Sequence, residues 1–237
     1  MPYGYYGFWD STYILVIIGA VICLLASARV KSTFRKYENV RSMSGLTGAE
    51  AAERILRSAG ILDVSIQNVR GNLSDHYDPR KKAVCLSDSV YNSSSVAAVG
   101  VAAHECGHAI QHQQAYVPLT IRSALVPVAN FGSFLAWPLI LIGLLFTRSS
   151  GSLFITIGIL CFSLSVLFQL ITLPVEFNAS SRAIVMLENT GVLGSNEIDG
   201  TKKVLSAAAL TYVASAAAAI LQLLRLILIS QNRGRRR

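Results

Sequence analysis

The sequence predicts a mainly α, polytopic membrane protein that carries a small α+β domain at the membrane surface. Three observations predict it: stretches without charge long enough to cross a bilayer, cations gathered directly after the first stretch, and one polar segment with both helix and strand signals. Of 237 residues, 52% are hydrophobic and only 14% are charged, too oily a balance for an ordinary soluble domain. Ser11 to Ala28, Ser123 to Thr147 and Ser149 to Val175 contain no charged side chain. A helix of roughly 20 residues crosses a hydrocarbon core of about 30 Å, so each of these is long enough. Val204 to Ser230 is a fourth stretch, interrupted only by Arg225.

Residues 1–28 are expected to form an N-terminal transmembrane anchor. A cleaved signal peptide places its cations before the apolar run, whereas here they follow it at Arg29, Lys31, Arg35, Lys36 and Arg41. The positive-inside rule then puts the N-terminus outside and the next segment in the cytoplasm. Tyr3, Tyr5, Tyr6, Phe8 and Trp9 are placed to form an interfacial aromatic belt. The net charge of +8 is accounted for by topology and by attraction to the headgroups of the lipid bilayer, so no nucleic acid partner is expected. Four cysteines without a CxxC pair indicate neither a disulfide framework nor a cysteine-based metal site.

Residues 29–122 form the first water-facing domain. Thr47-Gly48-Ala49-Glu50 is a capping box that opens a helix from Ala49 to Ser58, and Gly60 closes it. Val64 to Ile66 and Ala83 to Leu86 are short strand candidates around a polar turn, Gly71 to Lys82. An alanine- and valine-rich helix from Ser95 to about Ala115 follows, with serines at 93–95 as candidate N-caps. Residues 123–175 make a transmembrane helical hairpin, in which Pro127 and Pro138 should kink the first arm. Residues 174–203 are read as a new helix with Pro174 at its first position, then a loop marked by Gly191, Gly194 and Gly200. Residues 204–230 are a C-terminal helix, transmembrane or only partly embedded, and 231–237 a basic tail.

The chemistry sits on the helix of the water-facing domain. His104-Glu105-Cys106-Gly107-His108 reads HExxH, and residues four apart stand one turn above each other on one helix face. Two imidazoles so placed can hold one Zn²⁺, and Glu105 stands where it can accept a proton from an attacking water. A strand just before such a helix is the zincin-like arrangement, in which an exposed strand edge pairs with a substrate backbone. Cys106 points to another face and is expected to be a small packed residue. His112 lies about 12 Å along a straight helix from His104, too far to share the ion. A catalytic zinc takes a third protein ligand. Glu176 is the first acid after a hairpin that starts and ends on the HExxH side, which suits either that ligand or a carboxylate marking the membrane edge.

Glu176-Phe177-Asn178-Ala179-Ser180 resembles the ExxAD helix of the HtpX-type and CAAX-prenyl endopeptidase membrane gluzincins, which implies Glu176 as third ligand. Ser180 replaces the aspartate of that pattern, and its hydroxyl can accept a hydrogen bond from a ligand histidine. Asp75 to Arg80, Ser87 to Tyr91, Ala102 to Gln113, Tyr116 to Leu119, Arg122 to Pro127, Leu173 to Ala183 and Ala207 to Val213 carry a nearly end-to-end resemblance to the YugP-like neutral zinc metallopeptidases. That resemblance implies one Zn²⁺ per chain, a metalloprotease activity on polypeptide substrates, and a membrane location. His76, Tyr77 and Arg182 are the candidates for a second donor to the transition state or for support of the ligands. The expectation is a multi-pass cell-membrane endopeptidase with a cytoplasmic active site, acting on membrane proteins. The alternative is a non-proteolytic membrane scaffold that keeps the zinc fold; a complete HExxH argues against it, because a scaffold has no need of Glu105.

Overall fold

The computed structural model describes residues 11–72, 74–146 and 149–235. The expected aromatic belt at residues 3–9, Leu73, Thr147 and Arg148, and Arg236 and Arg237 lie outside them. The chain is mainly helical with one small mixed sheet, and four of its helices are long and apolar enough to cross a membrane. These are α1 (Tyr13–Glu38), α5 (Val117–Leu145), α6 (Ser149–Thr190) and α7 (Ser195–Arg235). Two compact units emerge, one of residues 26–121 with 172–212, the other of 1–25, 122–171 and 213–237.

In the first unit α2 (Gly48–Ser58) opens on the capping box. Thr47 Oγ1 accepts from the Glu50 amide at 3.2 Å, and the Glu50 carboxylate accepts from the Thr47 amide at 2.8 Å. Gly60, at φ +72°, turns the chain away after the helix. Ala51, Ala52, Ile55 and Leu56 then bury one face of α2 in a core shared with Ala98, Ala102, Ala103 and Cys106 of α4 (Val96–Gln113). Ser95 caps α4, its hydroxyl accepting from the Ala98 amide at 3.2 Å.

The sheet departs from the expected pair of strands around a turn. It has three strands, β1 (Ser65–Val69), β2 (His76–Asp78) and β3 (Ala83–Ser87), in the order β1-β3-β2. β1 runs parallel to β3, and β2, inside the stretch expected to be a turn, runs antiparallel to it. β3 is therefore the central strand, buried along its whole length, and it has no free edge to offer; the outer strands are β1 and β2. His-Tyr-Asp is too short to show a strand period, and hydrogen bonds hold it in place. The Asp75 carboxylate accepts from the amide and hydroxyl of Ser87 at 2.7 and 3.0 Å, and Asp78 caps the turn by accepting from the Arg80 amide at 2.9 Å. A four-residue helix, α3 (Asp88–Tyr91), leads from β3 toward α4.

Pro174 does not start a new helix. α6 runs unbroken from Ser149 to Thr190 with Pro174 inside it. An internal proline loses one backbone hydrogen bond and crowds the preceding turn. Here Val175, Ala179, Ala183 and Leu187, spaced four apart, are all fully buried, so one continuous stripe anchors the helix past the proline. Gly200 likewise lies inside α7, not in a loop, and the connection shrinks to a turn around Gly191 (φ +62°) and Gly194. The absent side chain at Gly200 makes room for Tyr37, whose Cε1 would stand 2.8 Å from an added Cβ. Glu197 secures the start of α7, one oxygen accepting from the Gly194 amide and the other from the Met43 amide, both at 2.8 Å.

In the second unit, α5 and α6 pack closely through small residues. A Cβ on Gly132 would meet the Cys161 carbonyl at 2.8 Å, and the hydroxyls of Ser133 and Ser165 meet at 2.6 Å. Small side chains at helix crossings of this kind are how apolar helices approach without water to drive them together. α1 and α7 meet through Gly19 and Ala218, and the Arg225 guanidinium stacks 4.0 Å over the Tyr13 ring.

Removing the tie at the start of α7 by Glu197→Ala should cost about 1–2 kcal/mol, since two amides lose their acceptor. The thermal unfolding midpoint of the purified full chain reads this; an unchanged midpoint would show that Glu197 carries no weight.

Candidate metal centre

α4 brings its chemistry to one face. Its other faces are lined with alanine, valine and glycine, buried against α2 and the sheet, which leaves His104 and His108 stacked on the side turned to α6. Their ring centroids are 4.8 Å apart, with the planes nearly perpendicular at 85°. Glu176, on α6, reaches between them: its Oε2 stands 3.3 Å from His104 Nε2 and 3.5 Å from His108 Nε2. Zn–N and Zn–O bonds of about 2.0–2.2 Å at a tetrahedral angle put ligand atoms about 3.3–3.5 Å apart. Both separations from Glu176 Oε2 fit a shared zinc, the three ligand atoms all lie within 4.8 Å of one another, and they are the group of metal-competent residues found among the described residues.

Each histidine is oriented from behind. His108 Nδ1 is 3.0 Å from Gln111 Oε1, an oxygen that only accepts. Nδ1 therefore carries a proton, and Nε2 faces Glu176, with a free lone pair when the ring is neutral and a second proton when it is charged. Gln111 is itself fully buried; its amide nitrogen donates to the Val175 carbonyl at 2.8 Å and to Asn178 Oδ1 at 2.9 Å. His104 Nδ1 lies 3.1 Å from Ser180 Oγ, so the hydroxyl stands where the resemblance leads one to expect an aspartate. Lone pairs of an imidazole and a carboxylate aimed at one point repel unless a cation lies between them. Burial alone would lower the pKa of His108, but the hydrogen bond to Glu176 and the charges of Glu105 and Glu176 carry it above the ordinary imidazole value. The pocket draws positive charge to the point where a metal would sit, and the donor set of two imidazoles and one carboxylate suits zinc.

The helices meet this closely because of Gly107. A Cβ there would lie 2.5 Å from the Ala179 carbonyl oxygen and 3.2 Å from the Ala179 Cα. Ala179 is one turn past Glu176 on α6, so the same contact that seats α6 on α4 delivers the carboxylate to both rings.

Glu105 is buried, and with Asp75, His104, Glu176, Ser180 and Tyr212 it lines a cavity of about 180 Å³ whose remaining wall is apolar. The other candidates go elsewhere. Tyr77 directs its hydroxyl to His112 Nδ1 at 3.0 Å, which occupies it away from the ligands. Arg182 donates to Asn178 Oδ1 at 2.7 Å and to Gln114 Oε1 at 2.6 Å and lies over the Tyr116 ring, so it buttresses α6 against α4. His76 is exposed on β2 with Nδ1 2.9 Å from the Ser74 carbonyl. Cys106 is fully buried, and burial pushes its thiol far above the ordinary range, which suits packing and not nucleophilic attack. Gln111, Asn178 and Tyr212 were not singled out from the sequence. A polar residue one turn after His108 in an otherwise apolar helix was the available signal for Gln111. Tyr212 falls in the Ala207 to Val213 segment of the resemblance, but it lies 36 residues from Glu176 along the chain and no local spacing ties it to the site.

A family described as "Putative neutral zinc metallopeptidase" matches residues 12–231 of the chain. The chain is 50% identical over 222 residues to the "Putative membrane protease YugP" of Bacillus subtilis (strain 168), covering 93% of this chain and 97% of that protein. No solved structure matches it.

Two substitutions probe the geometry through zinc content of the purified full chain, measured by elemental analysis. Gly107→Ala must push the Ala179 carbonyl away and should lower zinc affinity at least about tenfold. Gln111→Leu leaves the His108 ring without its acceptor and should cost about 10–100-fold in affinity. Full zinc retention in both would mean that neither the helix contact nor the amide orients the ligands.

Proposed function

The chain belongs to the neutral zinc metallopeptidase family, and from that premise we propose that it is a membrane-embedded zinc endopeptidase with its active site facing the cytoplasm. The observation that carries this reading is the convergence of His104 Nε2, His108 Nε2 and Glu176 Oε2 beside the buried Glu105. Those three residues would hold a Zn²⁺, which when bound would supply a Lewis acid to polarise a carbonyl and bring the pKa of water toward about 7. Glu105 then acts as general base: its carboxylate takes one proton from the attacking water and afterwards gives it to the leaving amine. Gln111 holds the His108 ring in the tautomer that leaves Nε2 free to bind, and Ser180 steadies the orientation of the His104 ring through Nδ1. A tetrahedral oxyanion calls for one more donor; Tyr212, on the wall shared with His104, Glu105 and Glu176, is the phenol we assign to it.

α4 and the sheet are read as a zincin-like unit in which the substrate adds a strand along the outer edge of β2, not β3. The apolar wall of the cavity, including Val30, Phe34 and Ala208, suits an apolar substrate side chain. Substrates are read as membrane proteins with segments near the bilayer surface, because Glu176 directly follows one uncharged stretch and His108 shortly precedes another. The relative's name, a membrane protease, supports the same reading. Cations after the first apolar stretch support a cytoplasmic active site and, with four apolar helices, a multi-pass topology.

Glu105→Gln should keep its zinc and lose casein hydrolysis by about 10²–10⁴-fold. Equal hydrolysis by both proteins, or by neither while both hold zinc, would leave a scaffold. Met43 is 87% exposed, so Met43→Cys, in a background with Cys23 and Cys161 replaced by serine, reports topology. It should resist an impermeant maleimide in intact cells and react after permeabilisation; prompt labelling of intact cells would reverse the orientation.

A further inference from the structure

We propose that the cleft between the polar ends of α1 and α7 is a binding site for the headgroup of an anionic phospholipid. The cleft measures about 720 Å³ and takes its cations from both helices, Arg29 and Lys36 on α1, Lys202 and Lys203 on α7, against one carboxylate, Asp199. Arg29, Ser32, Thr33 and Lys36 follow helical spacing along one face of α1, and Asp199, Lys202, Lys203 and Ser206 do the same on α7. Lys202 also reaches Glu188 at 3.7 Å, both half exposed. Arg29, Lys36 and Lys203 enter no ion pair among the described residues. Topology alone requires cations near a membrane edge, scattered around a helix. It does not require two helices to aim them, with hydroxyls, into one cavity. Tyr37, packed against Gly200, also lines the cleft.

The near end identifies the ligand. Arg29 follows the last residue of the first apolar stretch, and the apolar stretch of α7 begins at Val204, directly after Lys203. Ala207 and Leu210 therefore line the cleft where it meets the level of acyl chains, and Leu210 is exposed there. Phosphate oxygens beside the cations and hydroxyls, with acyl chains along Leu210, satisfy both ends; a free phosphate would leave the apolar end idle. Basic pockets between membrane helices bind acidic headgroups on the same principle. This site rests on the membrane reading of α1 and α7 and not on peptide hydrolysis.

The test is equilibrium binding of a fluorescent short-chain phosphatidylglycerol to the full chain in neutral detergent. Lys36→Gln with Lys203→Gln should weaken binding roughly tenfold or more. Arg80→Gln with Lys81→Gln, an equal loss of charge on the β2–β3 turn, should change it less than about twofold. The phosphatidylcholine analogue should bind at least about tenfold more weakly, and inorganic phosphate in large molar excess should not displace the lipid. Equal loss in both double variants would reduce the effect to general charge, and displacement by inorganic phosphate would make the ligand a free anion; either overturns the proposal. Unchanged far-ultraviolet dichroism guards against unfolding. Release of the protein from membranes by alkaline carbonate would defeat the membrane reading itself, whereas retention with indifference to the cleft substitutions would defeat this site alone.

Discussion

The candidate centre depends on one backbone contact, α4 at Gly107 against α6 at Ala179. Any side chain at 107 would collide with the Ala179 carbonyl. The contact fixes the helix separation at a value where a glutamate one turn away can place a single oxygen within 3.5 Å of two imidazoles. Close packing transmits such displacements without much relaxation, and a ligand set tolerates little error in position. The glycine inside HExxH therefore matters as much as the histidines that flank it.

A polar lattice then fixes rotation and register. Gln111 links His108 to the Val175 carbonyl and to Asn178, Asn178 accepts from Arg182, and Arg182 reaches back to Gln114. The lattice runs from α4 to α6 and back to α4, with the metal-facing ring at one end and a surface arginine at the other. Burying Gln111 costs free energy unless its donors and acceptor are all engaged, and here they are. Sliding α6 by one residue would strand them. Apolar stripes hold the helices together but tolerate small slips. The amide network does not, so it sets where Glu176 stops.

Legibility in the sequence followed the range of the interactions. The capping box at Thr47, the α4 helix with its stacked histidines, and the four apolar stretches rest on spacings of a few residues, and they appear in the structure close to where the sequence puts them. Glu176 could be nominated from chain order and a resemblance, but its distance to the rings depends on Gly107, which local pattern does not interpret. β2 was missed because three residues show no period and its place comes from its pairing with β3 and from Asp75 bonding to the amide and hydroxyl of Ser87, twelve residues on. Pro174 and Gly200 read as boundaries because propensity treats them as breakers. In the structure a buried stripe overrides the first, and the second is the gap that admits Tyr37. Tyr77 and Arg182 carry suitable chemistry, yet their partners, His112 and Gln114, turn them away from the ligands.

The charge balance of the centre bears on the serine at position 180. Among the described residues the buried ionisable carboxylates are Glu105 and Glu176, and no lysine or arginine is buried with them. Negative charges held away from water are expensive, by several kcal/mol for each ion, unless a cation stands beside them. A divalent cation held between the histidines and Glu176 would balance both. A further carboxylate at 180, as in the ExxAD pattern, would leave the buried set one charge short unless another cation joined it. Ser180 offers His104 Nδ1 a hydrogen-bonding partner while adding no charge to the ligand set.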